Sequence, residues 1–403
     1  MRILMIAPQP FFQPRGTPFS VLHRLRALST LGHQVDLLTY HLGQEVDIDG
    51  VTIHRIRNIP FIKKIAIGPS KRKVILDGFL ILKTRRMLEQ RQYDLIHSHE
   101  EAGFWAAYFA RKYGLMHLYD MHSSLPQQLT NFRFSRSSLL NRVFEKLEAY
   151  TINSAQAVIT ICPELHDYVQ ARFPQKLNTL IENVADNSKA FNSRVNSEEI
   201  GRKIKTNGEV AVLYAGTFEP YQGIDLLIDS SVEIISRQPA VRFVLVGGKP
   251  EQVEFYKNRT RELQVSDHFV FAGSVAPEEV PAYIANSDVL VSPRLEGNNT
   301  PLKIYSYLRS GKPIVATNHI THTQVLTPEV AVLTDTTPAA FSEGVLAVLR
   351  DVELGKRLSQ NARVLAEKNY SYEAYLSKTK MIFDYLEELG QQGQADKCAE
   401  SVV

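Results

Sequence analysis

Three glycine-bearing loops are the places where this chain could handle an anion. The first covers residues 8–18 and contains Arg15-Gly16-Thr17. A glycine at the mouth of a helix lets backbone N–H groups approach an anion, and the helix dipole favours negative charge there. A plain turn glycine is the alternative reading. The second loop, residues 216–223, reads Gly-Thr-Phe-Glu-Pro-Tyr-Gln-Gly and follows an apolar run. The third covers residues 292–308, contains Arg294, Glu296 and Lys303, and leads to Ser310-Gly311-Lys312-Pro313.

The elements that must position these loops follow from hydrophobic period. Residues 3–7 form a short apolar run that predicts a buried strand. Val21, Leu22, Leu25, Leu28 and Leu31 then mark one face of a helix, which Gly32 is placed to end. Residues 35–40, 94–97 and 158–161 read as further strands. After a polar stretch at 188–208 the pattern restarts, with strands expected at 210–215, 241–246, 270–272, 289–292, 314–317 and 330–333. Strands alternating with helical segments predict a doubly wound α/β fold, whose ligands bind at the carboxyl ends of the strands. The reading is of two facing Rossmann-like domains with a cleft between them. It assigns 1–190 to an N-terminal Rossmann-like domain, 191–208 to a linker and 209–369 to a C-terminal Rossmann-like domain. A C-terminal helix at about 370–390 is expected to pack back on the first domain, followed by a frayed end.

The chain has 403 residues with 46 Lys+Arg against 43 Asp+Glu, a net charge of +3. That balance excludes a globally basic nucleic-acid binder and an acidic solvating tail. Two cysteines, Cys162 and Cys398, make no disulfide framework, and a reducing compartment follows. No apolar run reaches the length of a membrane span or a signal-peptide core. The expected location is cytoplasmic, with peripheral contact to the inner face of a membrane left open.

That contact has a candidate segment. Residues 55–86 hold ten basic residues and one acid, Asp77, among Ile59, Phe61, Ile62, Ile65, Ile67, Phe79 and Leu80. Basic residues interleaved with apolar ones suit an anionic lipid surface. A solvated basic face on helices whose apolar side is core is the alternative. Phe132-Arg133-Phe134-Ser135-Arg136 could add to the same surface.

Taken in order, several segments resemble the family-4 retaining glycosyltransferases of the GT-B fold. They are Gly32-His33-Gln34-Val35-Asp36, Tyr93 to His99, Ile181 to Asp186, Val246-Gly247-Gly248, Phe271 to Ser274, and Ser287 to Pro293. The resemblance covers nearly the whole chain. It implies transfer of a sugar from a nucleotide-sugar donor with retained anomeric configuration, and with no metal and no cofactor. Gly16 would lie over the diphosphate, His122 would hydrogen-bond the donor sugar or its transition state, and Glu296 would approach that sugar. Gly216 opens the family's donor-binding loop. Asn299 and Thr300 would offer uncharged hydrogen bonds at a helix start. Attack from the front face, with the leaving phosphate helping to deprotonate the acceptor, is the mechanism the resemblance favours.

Three positions depart from the family pattern. Ser306 stands where a second glutamate usually binds ribose, and Thr217 and Gln222 stand where an arginine and a lysine usually meet the diphosphate. Losing one such donor typically costs about 10²–10³ in rate. Arg294 and Lys303 are therefore expected to neutralise the diphosphate instead. The function read from the sequence is a hexosyl-type glycosyltransferase acting on an envelope, polysaccharide or glycolipid acceptor, with a lipid-linked acceptor the specific expectation. A catalytically silent GT-B binding protein and a nucleotide-sugar epimerase are the alternatives.

Overall fold

In the computed structural model, residues 1–13, 16–65, 70–124, 126, 138–185, 195–206 and 208–400 are described. The chain divides into two compact units. Unit 1 comprises Met1–Asn183 and Tyr375–Val403, and unit 2 comprises Val184–Ala374.

Unit 1 is built on seven strands: β1 (Arg2–Ala7), β2 (Gln34–Thr39), β3 (Val51–Arg55), β4 (Leu95–His99), β5 (Met116–Met121), β6 (Ala157–Thr160) and β7 (Leu177–Leu180). Their order is β3-β2-β1-β4-β5-β6-β7, and every pairing is parallel. Unit 2 has six: β8 (Val210–Ala215), β9 (Val241–Val246), β10 (Phe269–Gly273), β11 (Val289–Ser292), β12 (Ile314–Thr317) and β13 (Val332–Thr334). They run β10-β9-β8-β11-β12-β13, again all parallel. These are two Rossmann-like sheets, the architecture of a GT-B protein. The strand order reverses between β1 and β4 and between β8 and β11, and ligands bind at such switch points.

The helices of unit 1 are α1 (Gly16–Thr30), α2 (Lys71–Gln90), α3 (Ala102–Tyr113), α4 (Ser138–Ser154) and α5 (Pro163–Arg172). Unit 2 follows with α6 (Ser197–Ile204), α7 (Ile224–Arg237), α8 (Pro250–Glu262), α9 (Val280–Ala285), α10 (Leu302–Arg309), α11 (Ile320–Thr323), α12 (Pro338–Arg350) and α13 (Val352–Asn369). The last helix, α14 (Tyr372–Glu400), carries the chain back into unit 1.

Strands buried on both faces read as apolar runs, and β1 and β8 show why. Ile3, Leu4, Met5 and Ile6 are fully buried, as are Ala211 to Tyr214. Alternate residues of β8 feed two separate clusters, Ala211 and Leu213 on one side and Val212 and Tyr214 on the other. Fully burying one such side chain is worth roughly 1.5–3 kcal/mol, so the strand ends that carry the loops are firmly held.

Two stretches differ from the sequence reading. The polar segment at 188–208 contains α6, capped by the Asn196 side chain on the Glu199 N–H at 3.2 Å, with Ile200 and Ile204 buried in unit 2's core. The expected frayed end is helical as far as Glu400. Tyr375, Ile382, Phe383 and Leu386 bury one face of α14.

Candidate functional site

In unit 2 the loops after β8 and β11 are pressed together by backbone geometry. Gly223, at the start of α7, has φ of +73°, and a Cβ there would sit 2.0 Å from the Pro293 carbonyl oxygen. Only glycine admits that approach. The Leu295 N–H donates to the Tyr221 carbonyl at 2.9 Å and fixes the two loops in register.

Two cations arrive at this junction. Lys303, in the first turn of α10, extends its Nζ over the Tyr214 ring, 3.7 Å from the centroid. The Nζ is sealed from solvent and has no hydrogen-bond partner among the described residues. A Cβ on Gly216 would lie 3.0 Å from it, so the loop backbone closes over the ammonium. Burial, and then the charge of Arg294, holds Lys303 well below the usual lysine range. The Arg294 guanidinium stacks 5.1 Å from the Tyr221 ring centroid, and its Nε donates to the Glu296 carbonyl at 2.8 Å. Burial lowers Arg294 as well. Among the described residues no hydrogen bond or ion pair joins a carboxylate to either side chain, which makes the pair a candidate anion site.

The other expected residues take different places around it. Thr300 is buried, with its hydroxyl unpartnered among the described residues, and Gln222 is buried with its Oε1 unpartnered. Glu296 and Thr217 have exposed side chains, and the Thr217 carbonyl accepts from the Tyr214 hydroxyl at 2.7 Å. Asn299 is half-buried. Ser306 is half-buried on α10, three residues beyond Lys303. Sequence reasoning missed Tyr214 and Tyr221, the rings that support the two cations. The available signal was a tyrosine two residues before each of Gly216 and Gly223.

In unit 1, His122 belongs to a cluster at the carboxyl ends of β4 and β5. Side chains two apart on a strand share a face, and parallel pairing sets His99 beside Asp120. His99 Nδ1 lies 2.9 Å from His122 Nε2, and that nitrogen lies 3.3 Å from Asp120 Oδ1. His97 Nε2 lies 3.4 Å from Asp120 Oδ2, and the His97 and His99 rings stack 4.7 Å apart. From α1, Arg24 Nε donates to Asp120 Oδ2 at 3.2 Å, while Arg24 Nη1 donates to Thr379 Oγ1 at 2.9 Å. Burial alone would raise the Asp120 carboxyl; Arg24 and the imidazoles hold it well below the usual range. Burial lowers His97 and His99. Among the described residues His97, His99 and Asp120 form the one group whose donor atoms could share a metal ion.

Gly16 opens α1 with φ of +36° and lies exposed. Thr17 beside it donates to Glu100 Oε1 at 3.1 Å, which ties the start of α1 to the end of β4. Glu101 and Glu100 flank the Lys73 ammonium at 3.1 and 4.0 Å. Arg15 and the 132–136 segment lie outside the described residues.

The basic segment divides when seen in three dimensions. Lys73 is neutralised by its glutamates, Arg55 pairs with Glu45 at 2.9 Å, and Lys83 donates to the Arg55 carbonyl. Arg72, Ile75, Phe79, Leu82 and Arg86 remain exposed at helical spacing along one stripe of α2. Phe61 is 76% exposed and Leu82 66%. No helix among the described residues is long and apolar enough to cross a membrane.

Known proteins agree with this architecture. A model described as Glycosyltransferase Family 4 matches residues 14–188, and one described as Glycosyl transferases group 1 matches residues 196–365. The putative glycosyltransferase YtcC of Bacillus subtilis is 25% identical over 42% of this chain, which spans 44% of that protein. The phosphatidylinositol N-acetylglucosaminyltransferase GPI3 subunit of Saccharomyces cerevisiae is 24% identical over 69% of this chain and 60% of its own length. The chain thus spans about half the length of those two relatives. A phosphatidyl-myo-inositol mannosyltransferase of Mycobacterium tuberculosis is 24% identical over 95% of this chain and 97% of its own. Among solved structures, sucrose-phosphate synthase of Thermosynechococcus elongatus superposes with a TM-score of 0.76 at 18% identity, covering 96% of this chain and 99% of that one. Anabaena Alr3699/HepE in complex with UDP-glucose gives 0.70 at 16% identity, over 96% and 100% of the two chains. With both halves matched by the family's models and both sheets laid out as GT-B, the chain belongs to the family-4 GT-B glycosyltransferases.

Proposed function

We propose that this glycosyltransferase moves a hexosyl residue from a nucleoside-diphosphate sugar to a lipid-linked acceptor in envelope, polysaccharide or glycolipid assembly. It does so with retained configuration and without a metal. One observation carries the donor half: the Lys303 ammonium is buried against Gly216 and Tyr214 with no counter-ion among the described residues. A diphosphate supplies the missing charge. Lys303 and Arg294 then take the roles that Thr217 and Gln222, being uncharged, cannot fill. Thr300 and Asn299 offer hydrogen bonds to phosphate or sugar hydroxyls at the start of α10, and Ser306 offers one to ribose. The UDP-glucose bound by Anabaena Alr3699/HepE supports a donor of this chemical class.

The reaction breaks the bond from C1 of the sugar to the diphosphate oxygen. The acceptor hydroxyl oxygen bonds C1 on the same face, and its proton passes to the leaving phosphate. Charge develops on the diphosphate, where two preorganised cations are worth most. His122, oriented by Asp120 and His99, hydrogen-bonds the sugar in the transition state.

The acceptor half rests on α2. Its exposed Ile75–Phe79–Leu82 stripe lies between Arg72 and Arg86, and that pattern fits an anionic bilayer surface. The phosphatidyl-myo-inositol mannosyltransferase relative supports an acceptor of that kind. Ser306, Thr217 and Gln222 favour a second reading, a GT-B protein that binds a nucleotide sugar without turnover. One experiment separates the two: incubation with labelled UDP-, GDP- and ADP-sugars, alone and with extracted lipids. Labelled lipid with retained anomeric configuration, undiminished by chelator, is the expected result. Binding without transfer or slow hydrolysis sinks the proposal.

A further inference from the structure

The cluster around His122 holds more metal-ligating atoms than a hydrogen-bonding role needs. We propose that His97, His99, Asp120 and His122 form a site for a divalent transition ion of the zinc type, and that the ion reversibly inhibits the enzyme.

Geometry comes first. The donor atoms of His97, His99 and Asp120 lie within 4.8 Å of one another. His122 Nε2 joins them at 2.9 Å from His99 Nδ1 and 3.3 Å from Asp120 Oδ1. His97 Nε2 and His99 Nδ1 lie 3.4 and 3.7 Å from Asp120 Oδ2. A tetrahedral zinc ion with bonds of about 2.0–2.1 Å separates its ligands by roughly 3.3–3.4 Å. These four contacts, made to both Asp120 oxygens, run from 2.9 to 3.7 Å, and the His97, His99 and Asp120 donors spread over no more than 4.8 Å, so rearrangements of about an ångström would bring the donors to the zinc spacing.

A second observation points to a ligand. His97 is fully buried, and its Nε2 faces Asp120 yet makes no hydrogen bond among the described residues. Leaving a buried polar atom unsatisfied costs about 1–3 kcal/mol, which a coordinate bond would offset. Three imidazoles and one carboxylate suit zinc, cobalt, nickel or copper, and disfavour magnesium and calcium, which prefer oxygen.

Arg24 sets the strength. Its guanidinium already occupies Asp120 Oδ2 at 3.2 Å and is itself held by Thr379. A metal must share Asp120 with this resident cation. The site is therefore one that fills and empties, unlike a structural zinc centre. The inhibitory half rests on the role proposed for His122, because a metal-bound imidazole cannot hydrogen-bond a sugar; metal binding itself does not.

The test titrates the purified full-length chain with Co²⁺. Expected are the visible bands of four-coordinate cobalt, saturating at about one ion per chain and displaced by Zn²⁺. His97→Gln and His97→Asn, each checked for a native melting transition, should weaken the binding by about tenfold or more. In transfer assays Zn²⁺ should inhibit the wild type, chelator should reverse it, and both variants should need more Zn²⁺ for half-inhibition of their own rate. No saturable cobalt spectrum, or one unchanged in both variants, overturns the site. Cobalt binding with transfer undisturbed by Zn²⁺ overturns the inhibitory half. Because the cobalt spectrum needs no turnover, failure of the site and failure of the proposed activity are distinguishable.

Discussion

Lys303 and Tyr214 meet face-on: the ammonium nitrogen stands 3.7 Å above the ring centroid, and among the described residues it has no hydrogen-bond partner. The ring attracts the cation electrostatically, by about 2 kcal/mol when the pair is desolvated. It cannot neutralise it. A negative ligand, the diphosphate of the proposed donor, would complete this arrangement.

Removing that cation should be costly to catalysis. Lys303→Met should lower kcat/KM for transfer by about 10²–10³, with Arg294→Met similar. Steady-state kinetics with a competent donor decide it; a value within about twofold of wild type for Lys303→Met would exclude the assigned role.

Donor binding should be linked to protonation. In the empty site burial holds Lys303 well below its usual range, so it loses its proton as pH rises through that depressed value. A bound diphosphate restores the proton. UDP affinity should therefore fall with rising pH, from the depressed value towards the ordinary lysine pKa of about 10.4. Calorimetry in buffers of different ionisation enthalpy should show proton uptake on UDP binding, and none with Lys303→Met. Equal heats in all buffers for the wild type would refute the linkage.

Breaking the Arg24–Asp120 pair should destabilise unit 1. Both side chains are nearly fully buried, so Arg24→Met leaves an uncompensated carboxylate and should cost about 3–5 kcal/mol. The double variant Arg24→Met/Asp120→Asn should recover part of that loss. Denaturant melts measure both. A single variant as stable as wild type would show that the pair carries no such charge balance.

Glu182 should give the fold a pH signature. Burial pushes its carboxyl up to about 7, while Lys378 opposes at 3.8 Å. The folded chain keeps this proton where the unfolded chain has released it. Its contribution is full below about 4.5 and is lost as pH rises to about 7. Glu182→Gln should therefore gain stability relative to wild type across that window, by roughly 3 kcal/mol at most. Denaturation at both ends of the window tests this, and a pH-independent difference counts against it.

The α2 stripe should govern vesicle binding. Phe79→Glu and Leu82→Glu each remove an apolar contact and add a repelled charge, so recovery on anionic vesicles should fall about tenfold. Neutral vesicles should recover little of either protein. Equal co-sedimentation of variants and wild type would remove α2 from the acceptor proposal.

Strands whose faces are both apolar were legible in the sequence, because 3–7, 210–215 and 289–292 are continuous hydrophobic runs. β5 was not, since His117 and Asp120 interrupt Met116, Leu118 and Tyr119; both polar residues are buried because distant partners receive them. The half-exposed β3 and the four-residue β7 carry too little pattern to register. Helix α6 passed for a linker because its apolar face consists of two isoleucines four residues apart. Lys303 and Arg294 could be named from their place in a loop. Their pairing with particular rings could not: Tyr214 and Lys303 join a strand end to a helix start about ninety positions later, and Tyr221 and Arg294 join two separate loops. The net charge of 55–86 overstated the exposed charge for the same reason: Glu101 and Glu45 lie outside the counted segment.

Helix α14 gives the two units an order of birth. Unit 1 opens the chain, yet Thr379 and Tyr375, which hold Arg24 against Asp120, are synthesised after all of unit 2. During translation, unit 2 is complete while the His122 cluster still lacks the groups that seat its arginine. In a ribosome-stalled chain ending near residue 374, unit 2 should therefore be folded while unit 1 is still open to protease.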